Sequence, residues 1–132
     1  MNFKYVVDTH AIIWYLSGSQ KIKSQALSAI KDVEKGNAEG FIATISLAEL
    51  AYLFEKGRTT VSLNDVLSKI DSLPTFHIVP LERRIIEELP NIPQIPDLHD
   101  RILVALARLL DAKLVTKDEI IKNSGLIDIV WD

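Results

Sequence analysis

Cysteine is absent from the sequence. That excludes disulfide staples, thiol catalysis and cysteine-based zinc sites, and it is compatible with a reducing compartment. Histidine is scarce, at 3 residues in 132. No apolar run reaches the ~18 residues of a membrane span; the longest, Ile102 to Leu110, is broken by Arg108. Phe3–Val7 is too short for the apolar core of a signal peptide and runs into Asp8, so no leader is expected and the expected location is the cytoplasm. The absence of a GxxxxGK[ST] loop excludes P-loop nucleotide hydrolysis, and there is no GxGxxG segment. No repeat, low-complexity tract or linker divides the chain, so one domain over residues 1–132 is expected.

Basic charge is also in short supply. Lys and Arg total 15 against 18 Asp and Glu, a net charge of -3. Phosphate backbones favour basic surfaces, so this balance weighs against a nucleic-acid binder. Acids devoted to a metal would bias the count, and a local basic rim remains compatible with it.

What is present is a strict alternation of short apolar runs and amphipathic stretches. Residues 3–7 read as a buried strand, and Thr9 to Leu16 as a helix stopped at Gly18. Ser24 to Lys35 reads as a second helix ended by Gly36, and Phe41 to Ile45 as a second strand. Ser46 stands three residues before Glu49, the spacing of a capping box, which places a helix from there to about Lys56. Ser62 and Asp65 repeat that spacing for another helix. Phe76 to Leu81 is the third expected strand, and Glu82 to Leu89 a short helix. Pro90, Pro93 and Pro96 make a stiff connector before an apolar helix over about Leu98 to Asp111. Lys113 to Thr116 reads as a strand, Asp118 to Lys122 as a short helix, and Leu126 to Trp131 as a last strand. The order β-α-α-β-α-α-β-α-α-β-α-β predicts an α/β fold of three layers, with a mainly parallel central sheet flanked by helices.

Such sheets bind ligands beyond the carboxyl ends of their strands. Asp8 follows the first strand, Asp118 lies just past the fourth, and Glu49 opens the helix after the second. Asp97 and Asp100 flank the start of the long helix. Convergent carboxylates repel unless a cation offsets them. Mg²⁺ or Mn²⁺ suits an all-oxygen site, and such an ion can activate water and neutralise charge on a phosphoryl group. Acid-rich, cysteine-free and histidine-poor, the chain therefore favours phosphodiester hydrolysis over zinc chemistry.

Each acid also has a structural reading. Asp8 and Asp118 can be turn residues or helix caps, and Glu49 can simply complete the capping box of Ser46. Asp97 reads better as an N-cap, with Asp100 at the third position, than as a ligand. His10, His77 and His99 read as surface or helix-edge residues, and Trp14 and Tyr15 as packing residues. Lys117 is either a solvated lysine or a phosphate contact; Arg101 is among five arginines of which one or two are candidates to line an RNA path. A phosphatase working through an aspartyl phosphate would want a second acid where His10 stands.

Four segments resemble those of VapC-type PIN-domain toxins. Val7-Asp8-Thr9-His10-Ala11-Ile12-Ile13-Trp14 is similar to the family's opening, and Ile45-Ser46-Leu47-Ala48-Glu49-Leu50 to its second motif. Asp97-Leu98-His99-Asp100-Arg101 followed by Ile102-Leu103-Val104-Ala105 resembles the third, and Leu114-Val115-Thr116-Lys117-Asp118 the fourth. They stand in family order and spacing over nearly the whole chain. The resemblance implies a PIN-like fold, an Mg²⁺- or Mn²⁺-dependent endoribonuclease acting on RNA, a toxin held by a cognate antitoxin, and a homodimer. It maps Asp8, Glu49 and Asp100 onto the core acids and Asp118 onto the fourth, with Asp97 as a further acid of one subgroup. Thr9 and Thr116 match positions that orient acids or waters. His99 replaces a small or apolar residue, a departure that bears on substrate access. Rival expectations are a PIN nuclease of RNA maturation without an antitoxin, a degenerate PIN domain that only binds, and a receiver-like signalling domain.

Overall fold

Strand β1 (Phe3–Val7) sends Tyr5 and Val7 into one apolar cluster and Val6 into another. Burial on both faces is what an inner strand of a parallel sheet requires. In this computed structural model, which describes residues 3–132, the elements that follow are α1 (Thr9–Ser17), α2 (Ser24–Glu34), β2 (Ala38–Ala43), α3 (Thr44–Glu55) and α4 (Leu63–Asp71). Next come β3 (Phe76–Val79), α5 (Arg83–Glu88), a 3-10 turn (Leu89–Asn91), α6 (Leu98–Leu110), β4 (Lys113–Val115), α7 (Glu119–Ser124) and β5 (Ile129–Val130). The element order is the expected one. Met1 and Asn2, part of the expected domain, lie outside the described residues.

The five strands lie in the order β3-β2-β1-β4-β5, and every pairing is parallel. Side chains of α1 to α4 pack on one face, around Ile12, Ile30, Leu50 and Ile70. Those of α5, α6 and α7 pack on the other, around Ile85, Leu103, Leu106 and Ile121. Six consecutive residues of α6, Ile102 to Ala107, are buried, which makes it the central helix of its layer. From β1 the chain steps outward through β2 and β3, then crosses back to β4 and β5. The reversal lies between β1 and β4, and it opens a crevice at their carboxyl ends.

Several boundaries differ from expectation. The second strand is Ala38–Ala43, not Phe41 to Ile45. Gly40 weakens the strand signal, yet it is required there: a Cβ would meet Val33 Cγ1 at 2.9 Å and Phe76 Cδ2 at 3.4 Å. Accordingly α3 already begins at Thr44 with Ala43 as cap residue, so Ser46 is not an N-cap and forms no capping box with Glu49. The third strand stops at Val79, ahead of Pro80, and the last is reduced to Ile129–Val130 at the sheet edge.

Candidate active centre

Asp8 ends β1 at the reversal point, where its N–H donates to Val115 O across the β1–β4 pair at 3.1 Å. Its carboxylate is held on both oxygens. Thr9 N–H donates to Oδ1 at 2.6 Å and Thr116 Oγ1 donates to Oδ2 at 2.9 Å. Thr116 Oγ1 also accepts from Asp118 N–H at 3.3 Å, so one buried threonine ties the ends of two neighbouring strands together. Asp118 caps α7 by accepting from Ile121 N–H, and Asp97 caps α6 by accepting from Asp100 N–H, both at 2.9 Å.

These acids meet in one pocket of about 490 Å³, lined among others by Asp8, Glu49, Asp97, Asp100, Asp118 and Glu119, with Lys117 the one lysine. The crowding raises carboxyl pKa values. Burial, reinforced by Asp97, Asp118 and Asp8, pushes the Asp100 carboxyl up to about 6. Asp8 is raised by burial too, against the lowering pull of Thr116, His99, Thr9 and His10. The acids ring the pocket rather than touch: among the described residues, no three acid or histidine side chains are close enough to form a finished ion cage. The donor set nevertheless fits a hard divalent cation, since it is all carboxylate and each ionised acid raises the cost of its neighbours.

The other expected residues fall in different places. Thr9 is buried at the start of α1 with its hydroxyl unpartnered. Ser46 is buried behind the pocket, 3.0 Å from His99 Nε2. Lys117 is at the lip, with its ammonium 4.7 Å from the centre of the Trp14 ring. Arg101 is not brought to the pocket: its Nε donates to Ile95 O at 2.7 Å and ties down the proline connector.

The sequence match agrees with this geometry: the PIN domain covers residues 5–125. The chain belongs to the PIN-domain family. Solved structures repeat the fold of this PIN domain. One from Rickettsia felis, described as VapBC2 bound to a DNA fragment from its promoter, shares 18% identity over 98% of this chain and 100% of that one, with a TM-score of 0.70. A toxin–antitoxin complex from Klebsiella pneumoniae shares 20% identity over 93% and 94%, with a TM-score of 0.65. FitAcB from Neisseria gonorrhoeae shares 15% identity over 95% of each chain, at the same TM-score. Among curated protein sequences, none matches significantly.

Reading the residues one by one missed several members of the PIN pocket. His99 lies in the first turn of α6 and turns inward, with its side chain 18% exposed. His10, Trp14 and Trp131 also line the pocket, with Trp14 and Trp131 centred 5.8 Å apart. His99 was legible as a neighbour of Asp100. Trp131 was not, because nothing local links it to Trp14 on α1.

Proposed function

We propose that this chain is an Mg²⁺- or Mn²⁺-dependent endoribonuclease that hydrolyses RNA phosphodiester bonds and acts as a toxin restrained by a cognate antitoxin. The observation that carries the reading is the convergence of Asp8, Glu49, Asp100 and Asp118, from four separate parts of the chain, on one pocket at the sheet's reversal point. When bound, the divalent ion supplies water activation and neutralises charge on the phosphoryl oxygens. Asp8, pinned by Thr9 and Thr116, presents a carboxylate of fixed orientation to the ion. Glu49, Asp100 and Asp118 complete the oxygen set. Asp97 serves first as the cap of the helix that carries Asp100. Lys117 is placed to meet a backbone phosphate at the lip, where Trp14 holds its ammonium.

The partner side of the proposal is supported by two things. The similar structure from Klebsiella pneumoniae is described as a toxin–antitoxin complex, and that from Rickettsia felis as VapBC2 on promoter DNA. This chain also exposes large apolar side chains, among them Tyr52, Phe54, Ile86 and Leu98, of the kind an antitoxin segment or a second copy in a homodimer would cover. The described residues include no helix long and apolar enough to cross a membrane.

The deciding experiment is cleavage of a defined RNA pool in Mg²⁺, Mn²⁺ and EDTA, with wild type and Asp8→Asn. Metal-dependent cutting that leaves 5′-phosphate and 3′-hydroxyl ends, and that Asp8→Asn abolishes, is expected. A 2′,3′-cyclic phosphate product, or full activity in EDTA, overturns the proposal.

A further inference from the structure

His99 occupies a position that the mechanism above does not use. On one side of its ring, Nε2 lies 3.0 Å from Ser46 Oγ. On the other, Nδ1 lies 3.2 Å from Glu49 Oε1. That oxygen is sealed from solvent and has no hydrogen bond of good geometry, so the imidazole edge is the polar group that stands against it. A serine–histidine–glutamate trio suggests nucleophilic catalysis, but such a nucleophile must reach its substrate, and Ser46 is 0% exposed.

The chemistry of the contacts sets their direction. An ionised carboxylate only accepts, so the ring state that suits this contact is the one with the proton on the nitrogen 3.2 Å away. In the neutral ring Nε2 is then the acceptor, and the Ser46 hydroxyl donates to it. The serine thereby selects the tautomer and stops the ring from turning. The ring in turn restrains a glutamate that would otherwise sample many rotamers, and rotamer freedom lost at binding weakens affinity.

We infer that His99, braced by Ser46, is a positioning residue that holds the Glu49 carboxylate ready for a divalent cation in the acid-lined pocket. The inference rests on the metal-dependent reading of that pocket. It also gives a use to the one residue at which the third motif departs from its family pattern.

Calorimetric titration of Mn²⁺ into the full chain tests it, together with ¹⁵N NMR of the His99 ring in the metal-free protein. His99→Leu is expected to weaken Mn²⁺ binding about 10- to 100-fold, the usual cost of losing a group that orients a ligand. His99→Asn, whose amide N–H can stand near the place of Nδ1, should recover most of that loss, and Ser46→Ala should show a smaller loss. The ring should carry its proton on Nδ1 in wild type. Wild-type affinity in a folded His99→Leu overturns the inference, as does His99→Asn binding as weakly as His99→Leu, or a wild-type ring protonated only on Nε2. A wild-type chain that binds no Mn²⁺ overturns the metal-dependent function and the inference with it; wild-type binding with unaltered affinity in His99→Leu overturns the inference alone.

Discussion

Asp100 illustrates what one residue gives up for a site of this kind. Its carboxyl is raised to about 6 by burial first, and then by Asp97, Asp118 and Asp8. A raised carboxyl pKa means that the folded chain holds the proton more tightly than the unfolded chain. Lowering the pH from 7 towards 5 therefore stabilises the metal-free protein through this group, and raising it through 6 removes that contribution. The full displacement would correspond to about 3 kcal/mol. Asp100 is partly exposed, so solvent screening leaves about 1–2 kcal/mol. Melting curves in EDTA at pH 5 and pH 7 should show about half of it, because the rest is gained only as the pH falls on to the unfolded value near 4, and Asp100→Asn should reduce it while raising the stability of the metal-free chain at pH 7. A pH dependence unaltered in Asp100→Asn would count against a raised Asp100 carboxyl. This coupling was not legible locally: Asp8, Asp100 and Asp118 are far apart in sequence, and only their placement at strand and helix ends hinted at a shared pocket.

Helix starts are where structural and chemical roles overlap. Asp97 and Asp118 both accept from the third residue of the helix they cap, as their spacing suggested. Substitution can separate the two roles, because asparagine caps nearly as well as aspartate and alanine does not. Asp97→Ala should cost about 1 kcal/mol in urea denaturation while sparing cleavage more than Asp100→Asn does. Asp118→Asn should keep its melting temperature yet cut activity roughly tenfold or more, since it retains the cap and loses the charge. A cleavage loss that tracks stability in both variants would leave Asp118 as a cap only. Ser46 shows the opposite case, in which a capping-box spacing misled. Thr44 and Ile45 read as strand by their branching but join α3, because β2 begins earlier, at Ala38, to pair with Phe3. Gly40 belongs to the same register. Gly40→Ala should destabilise by about 1–3 kcal/mol through overpacking against Val33, measured by thermal melting.

The whole molecule is acidic, yet its proposed substrate is polyanionic. The pocket resolves part of that conflict by concentrating carboxylates where a cation would offset them, with Lys117 at the rim. In an Asp8→Asn background, Lys117→Ala should weaken RNA binding across sequences and lower the slope of log affinity against log salt by about 0.7, the share of one phosphate contact on a single strand. An unchanged slope would assign Lys117 to Trp14 alone.

The sequence by itself determined the element order, the parallel sheet between two helical layers, and the four acid-bearing segments, because apolar periodicity and helix-end chemistry are local properties of the chain. The tertiary structure decided which acids face one another, that Ser46 lies behind Glu49 and His99 rather than at a helix cap, and that Arg101 ties down a connector. Those outcomes depend on strand register and on the reversal between β1 and β4, which bring residues more than a hundred positions apart, such as Asp8 and Thr116, into hydrogen-bonding distance.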